Sequence, residues 1–576
     1  MSTNEKVDGG ELVARTLRHA DVGTVFALHG GHLETFYRAC ARHGIDLVDF
    51  RHEASAGHAA EAYARVTGRL GVCVITAGPG FANAVPAILN AYVDQSPVLF
   101  LIGASPLRER ETNELQGGFD QVAIASPMAK WAVSVATVER IPALLAGAIR
   151  RATTGPRGPV VVEVPIDVLH AITTDDRVSA PTGLNVQPRP APSRDEVDEL
   201  GKLLLGARRP AMVVGGEARF SDCGGALARF AELSGIPVFA SKRGLGLLPS
   251  GHPNDAHDAG NLGLLSAKED DRPDVVLLAG ARLGLFLGGL GHGVIPEDAR
   301  LAQVCSDAGE LGRIRDIELP IVADVRALFE SLLEATADST WPDWSQWRAL
   351  ATRQQHRRAE AYPDRESERG LHPFHVMAEV AAVAGPDAVY AIDGGEAGQW
   401  AVQHARTSGP GRVLTTGYFG GLGVGPGFAL GARVAAPDRP VVLVTGDGSF
   451  GFHLQELDTM VHQEHPIVTI VLNNEIWGMS LHGQQILYGE NYSAISTLPG
   501  RDYARIARGF GCSGERVTSF AELRPALERA FGRGRPAVVE VMIDPEVVSP
   551  GLVQMLGDVS SEISQIVIPY YQNIPL

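Results

Sequence analysis

Residues 440–448 read PVVLVTGDG and residues 466–474 read PIVTIVLNN. Each is a short run of β-branched and aliphatic residues, without polar alternation, that ends on glycine or on a short oxygen-bearing side chain. An apolar run of this length is a strand buried on both faces, as in a parallel sheet covered by helices. Residues 440–445 and 466–472 are therefore expected as strands, with a helix over about 452–462 between them. The result is a βαβ unit that carries Asp447 and Asn474 at the carboxyl ends of two parallel strands, where such sheets bind their ligands. Gly446 and Gly448 let the backbone come close to a phosphate. The Asp447 carboxylate and the Asn474 amide oxygen are hard donors that suit Mg²⁺, which takes oxygen ligands and keeps phosphate oxygens among them. GDG by itself is equally a plain tight turn. GDG together with NN, each at the end of a buried strand, reads as a magnesium–diphosphate clamp.

Outward from this unit, the same style of strand, glycine turn and helix recurs near the N-terminus. Strands are expected at 24–28, 46–50, 72–76 and 97–102, and helices at 32–43, 54–67 and 81–93. This alternation gives a parallel sheet covered on both faces. A Pro-rich polar segment at 185–194 reads as a linker. The middle region has strands near 211–214, 238–240 and 275–279, and a charged, Trp-dotted helical stretch at 341–369 reads as a second linker. The expected organisation is α/β throughout, with three doubly wound parallel-sheet domains. They span residues 1–184, 195–340 and 370–545, followed by an apolar tail at 546–576. The tail packs either on its own domain or as a flap over a site, since disordered tails are usually polar.

The 576 residues carry a formal charge of −17 and no basic stripe, which argues against nucleic acid as a partner. Five widely spaced cysteines form no CxxC pair, so neither a disulfide framework nor a zinc site is expected. The first ten residues are polar, and no apolar run is long enough for a membrane span. Cytoplasm is the expected compartment.

A second chemical element lies in Arg51-His52-Glu53. Glu53 ends an expected strand and opens a helix, so its carboxyl should face an apolar cleft, where a carboxyl holds or shares a proton more readily. Alone it is equally a carboxylate at a helix N-terminus. Together with GDG and NN it resembles the thiamine diphosphate (ThDP) enzymes. The stretches GGELVARTL, FALHGGHLETFYRAC, RHEASAGHAAEAYAR, NELQGGFDQVA, GYFGGLGVG, LVTGDGSFGF and LNNEIWGMSLHGQQ are most similar to benzaldehyde lyase, over nearly the whole chain.

That resemblance implies pyrimidine-binding, central and diphosphate-binding domains, ThDP and Mg²⁺ as cofactors, and aldehydes or 2-hydroxy ketones as substrates. It also implies a homotetramer whose cofactor sites lie at a dimer interface. By the same resemblance Glu53 is the cofactor activator, and Gly420 accepts the aminopyrimidine N–H through its carbonyl. Leu422 is the wedge that bends the cofactor, a proximity effect. His32 and His29 are the proton-transfer and supporting histidines, and Gln116 binds the substrate oxygen. Gly78 and Gly80 wall the thiazolium pocket. Gly446, Asp447, Gly448, Ser449, Asn474 and Gly478 hold the diphosphate, and Asp447, Asn474 and Ile476 hold the metal. The substrate pocket would be lined by Gly31, Leu115, Ile166, Gly398 and Met479.

The pocket departs from benzaldehyde lyase, which has Tyr, Trp and Ala where this chain has Gly398, Ile166 and Met479. Glu396, beside Gly398, reads either as an added polar contact to the substrate or, more simply, as a solvated surface carboxylate. Acetolactate synthases carry Phe-Gln-Glu where this chain has Gln116-Gly117-Gly118; acyl-CoA lyases have a related Gln-Gly pattern but also need a coenzyme A site, and no cluster of basic residues clearly supplies one. The middle region shows no GxGxxG, so flavin is not expected. The alternatives to a lyase of 2-hydroxy ketones are an acetolactate synthase-like enzyme, a 2-hydroxyacyl-CoA lyase, or a silent ThDP-binding partner.

Overall fold

Three six-stranded sheets organise the chain, and every strand pairing inside them is parallel. They are seen in a computed structural model that describes residues 6–556 apart from 114, 185–186 and 290–291. The N-terminal sheet runs in the order Asp46–Asp49, Thr24–Ala27, Gly71–Ile75, Val98–Ala104, Val160–Pro165 and Trp131–Ser134. The C-terminal sheet runs Val413–Thr415, Val389–Ile392, Val441–Gly446, Ile467–Asn473, Ala537–Met542 and Ser513–Val517. Counted in chain order, both follow 2-1-3-4-6-5, so the two ends of the chain share one topology. The middle sheet instead follows 3-2-1-4-5-6, the order of doubly wound dinucleotide folds.

The strands expected around GDG and NN lie within a residue of their observed bounds. Val441–Gly446 and Ile467–Asn473 pair in register with Gly446 opposite Leu472, which sets both carboxyl ends level. Their apolar runs are buried on both faces, which is why no alternation showed. In place of one helix at 452–462 there are two, Asp447–His453 and Glu456–His462.

The chain forms two compact units. One comprises residues 1–188, 416–437 and 453–465, and the other residues 189–415, 438–452 and 466–576. The first has a core of residues 7–184, centred on strands such as Val160–Pro165. Its helices Glu53–Thr67 and Gly425–Ala435 meet closely, because Gly427 and Gly431 have no Cβ to strike the carbonyls of Ser55 and Ala59. The second unit has one core shared by the middle and C-terminal sheets.

Two sequence expectations need correction. The middle sheet has six strands where three were expected; of the three further strands, Asp255–Asp258 reads DAHD and carries no apolar pattern, while Arg300–Cys305 and Leu319–Val322 are short and interrupted by polar residues or proline. The stretch at 341–369 is helical as expected, but it is packed onto the middle domain and is not a free linker. It contains the helix Ser345–Glu360, and the buried Trp347 donates its indole N–H to the Pro210 carbonyl at 2.7 Å. Of the expected apolar tail, residues 550–556 form the helix Pro550–Leu556, and residues 557–576 lie outside the described residues. Among the described residues no helix is long and apolar enough to cross a membrane.

Candidate active site

In the first unit, His52 caps the helix Glu53–Thr67 by accepting the Ala54 amide on its Nδ1 at 3.1 Å. Glu53 is therefore the first helical residue. It is 5% exposed, and its Oε2 accepts from Asn83 Nδ2 at 2.9 Å. Asn83 and Gly80 both belong to the helix Pro79–Val93. A Cβ on Gly80 would stand 3.5 Å from Glu53 Oε1, so this helix turn is what faces the second carboxylate oxygen.

The turn before that helix is held from several directions. Gly78 has φ +65°, a region L side chains rarely adopt, and a Cβ there would lie 2.9 Å from Gln116 Cα. Gln121 accepts the Gly78 amide at 2.9 Å and donates to the Gly103 carbonyl at 3.0 Å and to Glu163 at 2.8 Å. Glu163 is 2% exposed and takes a further bond from Arg110 at 3.2 Å. Thr76 Oγ1 sits 3.0 Å from His32 Nδ1. Burial lowers the His32 pKa below its ordinary value, which keeps the ring neutral and able to donate at one nitrogen and accept at the other.

The loop that carries Gly420 and Leu422 is anchored to the same unit. His453 donates from Nδ1 to the Gly423 carbonyl at 2.8 Å, and its ring lies 4.8 Å from that of His52. Leu422 is half-buried, and Gly420 has φ +67°.

In the second unit, Asp447 is the first residue of the helix Asp447–His453 and is 4% exposed. Its Oδ2 accepts the Glu475 amide at 3.0 Å, and its backbone carbonyl accepts from Tyr503 Oη at 2.9 Å. Glu475 has φ +59°, a strained value for a residue with a side chain, and it is this turn that aims the amide at Asp447. The two asparagines point differently, as successive residues leaving a strand do. Asn473 is 1% exposed and donates to Glu540 at 2.8 Å, whereas Asn474 is half-buried and its Oδ1 accepts the Ile476 amide at 3.4 Å.

Burial pushes the Asp447 carboxyl up to about 7, against the Gly448 and Glu475 amides that hold it down. A divalent cation bound at this carboxylate would supply the countercharge that keeps it ionised. Ser449 is buried beside Gly394, whose Cβ would stand 2.9 Å from its Oγ. The donor set of one buried carboxylate, one amide oxygen and a glycine-lined turn fits a magnesium-bound diphosphate.

Residues 7–124 match the thiamine pyrophosphate enzyme N-terminal TPP binding domain, residues 197–332 the central domain, and residues 393–541 the C-terminal TPP binding domain. The acetolactate synthase large subunit of Mycobacterium tuberculosis is 37% identical over 95% of this chain and 97% of its own length. The chain belongs to the thiamine pyrophosphate enzyme family. Among its other relatives, human 2-hydroxyacyl-CoA lyase 2 is 32% identical over 93% of this chain and 90% of its own length. The acetolactate synthase large subunit of Corynebacterium glutamicum is 32% identical over 94% and 87%. These relatives are named as acetolactate synthases and 2-hydroxyacyl-CoA lyases, where the sequence motifs led to benzaldehyde lyase.

For a thiamine pyrophosphate enzyme, the structure groups Glu53, Gly78, Gly80, His32 and Gln116 around one helix turn of the first unit. His29 is placed otherwise: it is exposed and bonds Glu34 at 2.9 Å. Leu115 is 78% exposed, Gly31 faces open space, and Ile166 is half-buried at the start of the helix Ile166–His170. Gly398 is buried, and a Cβ there would meet only Ile392, at an ordinary 3.5 Å. Met479 packs its sulfur against Gly395, where a Cβ would stand 2.5 Å away. Glu396 is not a solvated surface carboxylate. It is 7% exposed and paired with His482 at 2.7 Å.

Sequence reasoning missed Asn83, Gln121, Glu163 and Tyr503. Glu163 left one signal, a carboxylate inside the otherwise apolar run VVVEVP, which requires a buried partner. Gln121→Leu would leave the Gly78 amide, the Gly103 carbonyl and Glu163 without this partner. The variant is expected to lose about 1–3 kcal/mol of stability, read as a lower urea midpoint. An unchanged midpoint would show that Gln121 does not hold the turn.

Proposed function

We propose that this chain is a ThDP- and Mg²⁺-dependent lyase and carboligase that breaks or makes the carbon–carbon bond beside the carbonyl of a 2-hydroxy carbonyl compound. The observation that carries this reading is the buried Glu53 carboxylate, held by Asn83 with its other oxygen beside Gly80. Bound ThDP supplies an acidic ring carbon that, once deprotonated, attacks carbonyl carbons. Glu53 holds the proton shared with the pyrimidine ring, and Asn83 fixes the carboxylate's orientation. The Gly420 carbonyl would accept a hydrogen bond from the cofactor's amino group, and Leu422 would pack against the cofactor as its wedge. Asp447, Asn474 and the Ile476 carbonyl hold Mg²⁺, while Gly446, Gly448, Ser449 and Gly478 line the diphosphate.

His32, neutral and backed by Thr76, moves the proton of the substrate hydroxyl. Gln116 donates to the substrate oxygen on which charge develops. Self-association as a homotetramer acting in the cytoplasm is proposed from the resemblance to other ThDP enzymes.

Within this reading, Gln116-Gly117-Gly118 and the human relative named as a 2-hydroxyacyl-CoA lyase favour cleavage of 2-hydroxyacyl substrates. The second reading, condensation of 2-keto acids, is supported by the 37% identity to an acetolactate synthase. A benzaldehyde lyase-like preference for aryl donors is the least supported. Gly398 and Ile166 remove two flat walls, each worth roughly 0.5–1.5 kcal/mol beyond its burial.

The test is a donor panel with product identification: a 2-hydroxyacyl-CoA, an aliphatic 2-hydroxy ketone, benzoin and pyruvate. Aldehyde release from the 2-hydroxyacyl or aliphatic 2-hydroxy substrate is expected at the highest kcat/KM. Acetolactate from pyruvate as the main product turns the assignment to the second reading. Preferred cleavage of benzoin restores the benzaldehyde lyase assignment. No turnover of any donor would mark a silent binder.

A further inference from the structure

Glu396 and His482 are both buried, with side chains 6% and 2% exposed, and lie 86 residues apart in the chain. Glu396 opens the helix Glu396–His404, and His482 sits in the helix Gly478–Tyr488 that follows the turn after Asn474. His482 Nδ1 is 2.7 Å from Glu396 Oε2, and its Nε2 is 2.8 Å from the Pro545 carbonyl oxygen. A carbonyl only accepts, so Nε2 donates to Pro545, and the carboxylate beside Nδ1 favours a proton there as well.

The carboxylate reaches further. Its Oε1 accepts the Ser549 amide at 2.9 Å, and Ser549 Oγ donates to Gln399 at 2.6 Å. Its Oε2 lies 2.4 Å from where a Cβ on Gly478 would stand. One buried carboxylate thus touches the turn that continues the Asn474–Ile476 loop and the segment that ends the described chain.

We propose that the Glu396–His482 ion pair is a positioning device that sets the Gly478 turn of the diphosphate clamp and clasps the segment 545–549 against it. Its effect on the cofactor rests on the ThDP reading above; the clasp itself does not. A buried ion pair adds little net stability over an apolar pair of the same size, but it enforces one geometry, because either partner alone is a buried unpaired charge. That is the property needed beside a loop whose donors must stay in place.

The pair also gives the clasp a pH dependence. Burial pulls the His482 pKa down, but the hydrogen bond and charge of Glu396 and the Pro545 carbonyl outweigh it and leave the pKa raised. For a raised histidine pKa, the contribution is complete below the ordinary imidazole range and is lost as pH climbs through the raised value. Glu396 is the one charged group that bears directly on the ring. Asp544 and Glu546 flank Pro545, but they bond Ser367 and Arg369. The helix Pro550–Leu556 carries no titratable residue, and on its own helix His482 shares only Tyr488.

The test is hydrogen exchange of residues 545–553 in the whole chain without cofactor, corrected for intrinsic rates, together with calorimetry of ThDP with Mg²⁺ across pH. In the wild type, protection of 545–553 and ThDP affinity are expected to fall together as pH rises through the His482 pKa. His482→Gln and Glu396→Gln are each expected to speed exchange at least tenfold. They should weaken ThDP binding at least tenfold with a smaller change in kcat at saturating cofactor, and remove the pH dependence. Unchanged exchange in both variants, or a wild-type pH profile in His482→Gln, overturns the proposal. If a single variant does not fold, the wild-type pH series and the neutral double variant decide it, since a flat wild-type exchange profile is equally fatal. A wild type that binds no ThDP defeats the functional reading instead, while the exchange arm still judges the clasp.

Discussion

Glu53→Gln is expected to lower turnover by about 10²–10⁴-fold, the range for removing a positioned acid–base group. ThDP affinity should stay within a few-fold of wild type. The amide oxygen at position 53 can still accept from Asn83, which now donates to Oε2 at 2.9 Å, so the helix start and its packing should survive. What the amide cannot do is take a proton from a ring nitrogen and return it. The proposed metal donors, Asp447 at the start of its helix and Asn474 just past the strand Ile467–Asn473, belong to other elements and are not expected to feel the change. Steady-state rates at saturating ThDP, with calorimetry of cofactor binding, make the comparison. Turnover near wild type would remove Glu53 from the activator role, and loss of binding in step with turnover would recast it as a binding residue.

Asp447→Ala should have the opposite signature. Loss of an outer-shell partner alone typically costs a metal site roughly 10–100-fold in affinity, and loss of the buried carboxylate ligand should exceed that. The substitution also removes the acceptor of the Glu475 amide, leaving a residue at φ +59° without the bond that holds it there. Strain of that kind is worth about 1–3 kcal/mol, so the loop should loosen as well. Asp447→Asn separates the two effects, because the amide oxygen still accepts from Glu475 but carries no charge. Both variants should need far more Mg²⁺ and ThDP for half-saturation, and alanine more than asparagine. Unchanged affinity in Asp447→Ala would place the metal elsewhere.

The sequence by itself determined the parts whose physics is local. PVVLVT and PIVTIVL are strands because continuous β-branched runs of that length bury both faces, and GDG and NN end them with oxygen-bearing side chains. Glu53 was legible for the same reason, as a carboxylate at a strand-to-helix junction. The middle sheet was half legible, since Val275–Ala279 is apolar throughout but Asp255–Asp258 is not.

Only the tertiary structure decided the rest. Strand order is a matter of which crossovers the chain takes, so the shared 2-1-3-4-6-5 order of the outer sheets and the different middle order have no signature in any one segment. The supports of the site are equally non-local. Asn83 meets Glu53 across 30 residues, Gln121 meets Gly78 across 43, and His482 meets Glu396 across 86. Glu396 shows the difference most directly, for beside glycines in DGGEAGQW it reads as a surface charge. A buried carboxylate is tolerated only where donors converge on it, and the donors here, the ring of His482 and the amide of Ser549, come from segments that become its neighbours only when the chain folds.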